Sequence, residues 1–312
     1  MEAAADEACP TAPSARYASG VVLAIGGTFL FALKSIFIKL AFAAGADPTV
    51  LLTLRMGIAL PLYLAVLWHS WRTIPNTRST WRRDVPLALV LGFLGYYLAS
   101  YLDLCGLTYI SAQLERLTLF TYPTMIAVLA ALFLGERLTP RIVLAIALSY
   151  AGIWLMYGQE RLIAASQSNG DVTLGVLLVL GSALSYSLYV LFAKPIMQRI
   201  GSRQFTSLAM IGSTGFVAAH FLATRSPAVF ADLRPVVYLY GVVLAFVCTV
   251  LPSFMINESI LRIGATRTTV IGTAGPVLTV LLAVAILHEP TSVYHALGML
   301  LAIAGVSLVA VK

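Results

Sequence analysis

Long apolar runs bounded by charged or polar residues alternate along the whole chain. A helix needs about 20 apolar residues to cross the hydrocarbon core of a bilayer. Counted in this way, the sequence predicts an all-α polytopic membrane protein with ten transmembrane helices. The predicted helices cover residues 19–42, 49–69, 86–106, 109–134, 140–157, 173–194, 204–223, 236–257, 267–287 and 292–311.

One part of this pattern occurs twice. The segment Ser111–Tyr157 aligns without a gap on Gly264–Ala310, at a constant offset of 153 residues. Pro123 then matches Pro276, and in both copies about ten apolar residues separate the proline from a Leu-X-Glu sequence. Identities that keep one offset indicate a duplicated unit, and a duplication decides the architecture before any local motif does.

The duplicated unit is five helices long, because predicted helices 4 and 5 match predicted helices 9 and 10. An odd number of helices makes the second copy enter the membrane in the opposite direction. The loop with Glu136 and the loop with Glu289 are then on opposite sides, and inverted repeats of this kind are a common basis for alternating access. The predicted parts of the chain are a cytoplasmic tail (1–18), a first repeat (19–157), an external linker (158–172) and a second repeat (173–312).

Lysine and arginine orient the predicted helices, because short cytoplasmic loops are enriched in both residues. Thirteen of them fall in loops on the side of both termini, whereas only Arg161, Arg225 and Arg234 fall in the opposite loops. Residues 1–17 lack a basic segment followed by an apolar core, so we expect no cleaved signal peptide. The sequence therefore predicts a multi-pass protein of the plasma membrane (the bacterial inner membrane) with both termini in the cytoplasm.

The composition argues against several other classes of protein. The 312 residues are 60% hydrophobic and 11% charged, whereas roughly a quarter of a soluble domain is charged. The loop bias accounts for the net charge of +7 better than nucleic-acid binding does. Cys9, Cys105 and Cys248 show neither disulfide nor metal-ligand spacing, and no ATP-binding or nucleophile motif occurs. We expect no cofactor, no metal, no catalytic residue and no enzymatic activity, so that any transport is secondary or facilitated.

Three local patterns carry a family resemblance. They are Phe37-Ile38-Lys39 with Asp47-Pro48 and Arg55; Ala112, Pro123, Leu134-Gly135-Glu136 and Gly152; and Ala265, Pro276, Leu287-His288-Glu289 and Gly305. From about residue 20 onward the chain resembles the drug/metabolite transporter superfamily, specifically the ten-helix exporters built from two EamA domains. The resemblance implies a central cavity surrounded by helices 1, 3, 4, 6, 8 and 9, and export of small metabolites such as aromatic and other amino acids.

Charged residues inside the predicted helices are candidates for the site, because they are costly in a membrane and usually face a cavity or a partner. Lys34, a departure from the family pattern, is expected to meet a substrate carboxylate, or Glu115 or Asp103 when the site is empty. A purely structural ion pair is the alternative. Glu115 and Arg116, a second departure, point about 100° apart on a helix, so only one of them faces the cavity squarely.

Polar and aromatic residues extend this candidate site. Glu115, Thr118 and Tyr122 have i, i+3, i+7 spacing and form a polar stripe on predicted helix 4. Tyrosines of predicted helices 3 and 6 would line the cavity, although tyrosines near helix ends more often belong to the membrane interface. The predicted substrate-binding residues are Lys34, Tyr97, Tyr101, Glu115, Thr118, Tyr122, Tyr186, Tyr189, Ser253 and Asn257, and the predicted helix bends are Pro123, Pro252 and Pro276.

Two pairs of charged residues near the ends of predicted helices are interpreted as structural. Lys39 and Arg55 flank the predicted external hairpin between helices 1 and 2, where a salt bridge or a lipid headgroup contact is expected. Glu136 and Glu289 are expected to cap or pair near a helix start.

Several alternatives to amino-acid export remain. A carrier of drugs, nucleosides or other metabolites fits the same pattern. A membrane scaffold or receptor would need a sizeable loop or soluble domain, whereas the longest predicted loops have only about sixteen residues. An intramembrane enzyme would need converging catalytic groups. We expect a small-molecule substrate and the lipid bilayer as partners, no nucleic acid, and a monomer; the direction of flux and proton coupling stay open.

Overall fold

The fold is all-helical within the part of the chain that the structure describes. The structure is a computed structural model, and it describes residues 12–73, 78–167, 171–263, 268 and 271–310. No β-strand occurs in these ranges.

The helices follow one another with short connections. In chain order they are α1 (Ala12–Ala43), α2 (Pro48–Thr73), α3 (Arg78–Gly92), a π-helical segment (Phe93–Leu98), α4 (Ala99–Gly106), α5 (Ala112–Leu119), α6 (Tyr122–Leu134), α7 (Pro140–Gln167), α8 (Val172–Ile200), α9 (Ser202–Thr224), a 3-10 segment (Pro227–Asp232), α10 (Pro235–Ala245), a second π-helical segment (Phe246–Val250), α11 (Leu251–Ile263), α12 (Gly275–Leu287) and α13 (Val293–Ala310).

Eight helical stretches in the described ranges are long and apolar enough to cross a membrane. They coincide with the first eight predicted helices. The last two apolar helices, Gly275–Leu287 and Val293–Leu308, are shorter than a full span. The chain is therefore a multi-pass membrane protein. The eight stretches are Tyr17–Ala43, Pro48–Ser70, Arg82–Gly106, Ala112–Leu134, Pro140–Ile163, Val172–Ala193, Arg203–Thr224 and Pro235–Ser253.

Two helices extend beyond their predicted ends. Helix α1 begins at Ala12, so the predicted tail (1–18) is partly helical. Helix α7 continues to Gln167, so most of the predicted external linker (158–172) is also helix. The segment from Gly158 to Gln167 is polar enough to resemble a loop. It nevertheless contains mainly good helix formers such as Glu, Arg, Leu and Ala.

Three of the long stretches are interrupted inside. The π-helical segments begin at Phe93 and at Phe246, within the predicted helices 3 and 8. The helix pair α5 and α6 is separated by Phe120 and Thr121. Such π-helical turns and breaks inside otherwise regular helices occur frequently at functional sites.

The helices form two groups, and each group combines helices from both halves of the chain. Helix α1 lies against α11 and α12, whereas α8 lies against α4, α5 and α6. Helix α2 packs against α9, and α7 packs along α13.

Small residues allow the α7 and α13 backbones to approach closely. An added Cβ at Gly152 would lie 2.3 Å from the carbonyl oxygen of Gly298, and one at Gly305 would lie 2.6 Å from that of Ala145. Small residues at helix interfaces are typical of membrane proteins, because close backbone approach supplies packing where burial supplies little.

The outer surface is apolar. Leu132, Trp154 and Leu162 are each more than 70% exposed. Large apolar side chains outside a helical bundle fit contact with lipid rather than with water.

Candidate functional site

A cavity of about 460 Å³ lies between the two groups of helices. We call it the central cavity. Its wall receives residues from both π-helical segments and from α1, α2, α4, α5, α6, α8, α9, α11, α12 and α13. Its volume is in the range of small-molecule binding sites, roughly 300–1,000 Å³.

Lys34 reaches the wall from α1 and forms a buried ion pair. Its Nζ lies 2.6 Å from Oδ2 of Asp103 on α4, and the two side chains are 16% and 2% exposed. Asp103 is therefore the carboxylate that Lys34 meets, of the two that the sequence offered. Oδ1 of Asp103 is itself buried, so the contact with Lys34 is the polar contact that this carboxylate makes at the cavity wall.

The polar stripe predicted that Glu115 faces the cavity, but Arg116 does so instead. Arg116 lines the central cavity, and its Nη2 donates to the carbonyl oxygen of Phe31 at 2.9 Å. Glu115 is fully buried behind the wall, where Ser35 Oγ donates to Oε2 at 2.7 Å. The two side chains do diverge as expected, but the cation rather than the carboxylate faces the cavity.

Arg55 is a wall residue that the sequence interpretation missed. It lies seven residues into α2, about 10 Å along the helix from Pro48, and it lines the central cavity while only 5% exposed. The salt-bridge role at the external hairpin is wrong: its Nε is buried without a partner. Asp47 instead pairs with Arg225, at 2.9 Å. The available signal was the run before Arg55, which is apolar except for Thr49 and Thr53.

Two of the predicted tyrosines lie on the cavity wall. Tyr122 and Tyr186 both line it, and their rings meet edge to face at 5.3 Å between centroids. Tyr96, which the prediction left out, lines it as well, and its hydroxyl lies 3.0 Å from that of Tyr189. Tyr189 itself is 7% exposed and lies behind the wall.

Tyr97 and Tyr101 lie outside the cavity wall, so their predicted place in the lining is wrong. Tyr97 hydrogen-bonds to Nδ1 of His220 at 2.9 Å, and its ring stacks on Tyr101 at 6.2 Å. The residues of this helical stretch that line the cavity include instead Tyr96, Ser100 and Asp103. Their i, i+4, i+7 spacing was the signal that identifies the face.

The remaining predicted residues divide between the wall and its support. Ser253 lines the cavity, whereas Thr118 is fully buried and has no place on the wall. The side chain of Asn257 lies outside the described residues.

The three prolines also differ from one another. Pro123 and Pro276 line the cavity within the first turn of α6 and α12, directly after a break in the helix. Pro252 is buried near the start of α11, directly after the second π-helical segment, and is not part of the wall.

A carboxylate from the second half of the chain caps α5. Oε1 of Glu289 accepts from the backbone N–H of Ala112 at 2.8 Å, and Oε2 accepts from that of Gln113 at 3.3 Å. The first N–H groups of a helix have no partner within the helix, and a negative charge is favourable there. Glu289 thus has the expected capping role. Glu136, its match in the sequence, is exposed.

The arrangement offers groups that can bind a ligand. Among the described residues, no three His, Cys, Asp or Glu side chains are grouped to hold a metal ion. What the cavity offers is a charged group of Lys34, Arg55, Asp103 and Arg116 beside aromatic and apolar side chains.

Comparison with solved structures shows the same fold elsewhere. One solved structure, titled only as the crystal structure of a protein, superposes with a TM-score of 0.61 over 93% of this chain and 96% of that chain. Its sequence identity is 18%, so the similarity concerns the fold alone.

Comparison with curated proteins and family models identifies the family. Uncharacterized transporter YcbK of Bacillus subtilis is 28% identical over 90% of this chain and 89% of its own length. Uncharacterized transporter YcxC of the same organism is 27% identical over 91% and 90%. The model of the EamA-like transporter family matches residues 18–158 and again 173–311. The two segments that the family model matches cover most of the chain. The chain therefore belongs to the EamA-like transporter family, a family of transporters rather than of enzymes.

Proposed function

We propose that this protein is a secondary or facilitative transporter that exports small organic metabolites across the bacterial inner membrane. Amino acids, including aromatic and neutral ones, are the substrate class that we favour. The observation that carries the proposal is the central cavity, which places charged groups beside tyrosine rings inside a bundle of apolar helices. Family membership supports transport in general.

The mechanism that we propose is alternating access by two inverted repeats of five helices each. Three local features recur at the offset of 153 residues. The π-helical segments begin at Phe93 and Phe246. A break in the helix precedes Pro123 and Pro276. A left-handed residue ends α6 at Gly135, with φ 69°, and its counterpart His288 ends α12 with φ 53°.

The packing supports the same symmetry. Helix α1 of the first half lies against α11 and α12 of the second, and α8 of the second half lies against α4 and α6 of the first. Exchanging the halves maps one set of contacts onto the other. A cavity on such a seam can open alternately to either side when one half rocks against the other.

The substrate class follows from what the wall presents. A carboxylate would meet the arginines or Lys34, and an apolar or aromatic body would lie against Tyr122 and Tyr186. Both termini are proposed to be cytoplasmic because of the lysine and arginine bias of the loops.

Counterflow into vesicles tests the proposed function. Purified protein would be reconstituted into vesicles loaded with an unlabelled solute, and entry of the labelled solute would be followed. The panel contains phenylalanine, leucine and glutamine, with uridine as a nucleoside comparison. We expect transient accumulation of at least one amino acid. Equal accumulation in vesicles without protein would refute transport, and accumulation of uridine alone would move the substrate class to nucleosides.

A further inference from the structure

The charges on the cavity wall do not balance. Three cationic side chains and one carboxylate line the central cavity: Lys34, Arg55, Arg116 and Asp103. Lys34 and Asp103 neutralise each other at 2.6 Å. Two arginines remain facing the same space.

Arg55 has no anionic partner in the described part of the chain. None of the described carboxylates lies within 4.0 Å of its guanidinium nitrogens. The residue is only 5% exposed, and its Nε is buried without a hydrogen bond. An arginine stays charged in proteins, and a buried charge is costly unless it is paired. The described residues therefore supply no anion to Arg55, and a bound ligand could supply it.

Arg116 adds a second positive charge to the wall. Its Nη2 donates to the carbonyl oxygen of Phe31, which uses one of five guanidinium donors. No described carboxylate pairs with it within 4.0 Å. Its neighbour Glu115 is turned towards Ser35 and is not part of the wall.

The rest of the wall suits an apolar body. Tyr96, Tyr122, Tyr186, Phe120 and Met56 contribute aromatic and aliphatic surface. A small-molecule site typically combines such a surface with a few polar groups that fix the orientation of the ligand.

We propose that Arg55, with Arg116 on the same cavity wall, forms a carboxylate-binding subsite, and that the substrates are organic carboxylates with an apolar body. The inference rests on the proposed transport function and specifies its substrate. A guanidinium can bind a carboxylate through two parallel hydrogen bonds. The substrate's ammonium group, by contrast, is dispensable, because the one wall carboxylate is already paired with Lys34. Amines without a carboxylate are excluded by the uncompensated positive charge.

Four probes with the same phenyl body test this subsite. They are 3-phenylpropionate, phenylalanine, 3-phenylpropan-1-ol and 3-phenylpropylamine, added to the purified full-length protein in detergent. The readout is the increase of the unfolding midpoint with probe concentration, which reports binding to the folded state. We expect stabilisation by 3-phenylpropionate and by phenylalanine, less by the alcohol and none by the amine.

Substitution of Arg55 separates the charge from the cavity shape. In Arg55→Gln we expect the apparent affinity for 3-phenylpropionate to fall roughly 10- to 100-fold, the range of a hydrogen bond to a charged group. Affinity for the alcohol should stay at the wild-type value, which also shows that the variant is folded. Arg55→Lys should keep part of the affinity, because it keeps the charge and loses the two-pronged geometry. Arg141→Gln, at an exposed position away from the cavity, is the matched control and should behave as wild type.

Should Arg55→Gln not fold, Arg55→Lys and Arg116→Gln take its place, with losses of affinity confined to the carboxylate probes. The proposal is overturned if 3-phenylpropylamine stabilises the protein as much as 3-phenylpropionate, if no carboxylate probe stabilises it, or if the arginine variants bind 3-phenylpropionate as wild type does. The transport proposal is tested separately by counterflow. Flux of a solute without carboxylate dependence would refute the subsite and leave transport standing.

Discussion

At the residue scale, the buried pair of Lys34 and Asp103 is the strongest polar contact of the site. Two opposite charges in a low-dielectric interior stabilise each other only while both are present, and removing one leaves the other uncompensated. The sequence identified Lys34 and Asp103 as charges inside spans. Only the three-dimensional structure, in which the Lys34 side chain reaches Asp103, could decide which carboxylate Lys34 meets.

A double-mutant cycle tests this pair. We expect Asp103→Asn to destabilise the protein by about 3 kcal/mol, because it leaves the Lys34 ammonium unpaired. Adding Lys34→Met to that variant should recover most of the loss, since neither member of the pair is then left as an unpaired charge. The measurement is the free energy of unfolding of the four proteins in detergent. Additive effects of the two changes would contradict the pair.

The tyrosines give a second prediction at this scale. Tyr186 lines the cavity whereas Tyr97 bonds to His220 behind it. Tyr97→Phe should therefore lower stability by about 1 kcal/mol, the net value of one hydrogen bond, and leave substrate half-saturation unchanged. Tyr186→Ala should raise half-saturation several-fold. Counterflow at varied substrate concentration distinguishes the two, and a larger effect of Tyr97→Phe on half-saturation would contradict the assigned positions.

At the scale of the elements, the Glu289 cap joins α5 to the far half of the chain. Loss of an N-terminal cap typically costs about 1 kcal/mol. In Glu289→Ala we expect that loss, together with faster hydrogen exchange at the amides of Ala112 and Gln113. Glu136→Ala is the matched control, because Glu136 is exposed, and its stability should stay within about 0.5 kcal/mol of wild type. Unchanged exchange in Glu289→Ala would contradict the cap.

The close contact of α7 with α13 gives a prediction from two glycines of one helix. A Cβ at Gly152 would meet the Gly298 carbonyl oxygen at 2.3 Å, whereas one at Gly158 would have no heavy atom within 4 Å. Gly152→Ala should destabilise the protein by about 1–3 kcal/mol through overpacking. Gly158→Ala should be neutral or stabilise by up to about 1 kcal/mol, because alanine favours helix. Thermal unfolding compares them, and equal effects would contradict the packing.

At the scale of the whole molecule, apolar run length predicted where the first eight membrane helices lie, because the bilayer imposes that length. It could not place Gln167 as the end of α7, since polar residues occur both in helices outside the bilayer and in loops. The same limit applied to Arg55. One sequence position does not reveal whether a charge turns to the headgroups or into a cavity, because that depends on the neighbouring helices.

The central claim is that the two halves of the chain cross the membrane in opposite directions. Its most direct test uses Arg137 and Pro290, which match at the offset of 153 residues and are both exposed. Each is replaced by cysteine in a protein whose Cys9, Cys105 and Cys248 are changed to alanine. Intact bacterial cells are then treated with a membrane-impermeant maleimide. We expect Pro290→Cys to react in intact cells and Arg137→Cys to react only after lysis, whereas reaction of both from the same side would contradict the inverted repeat.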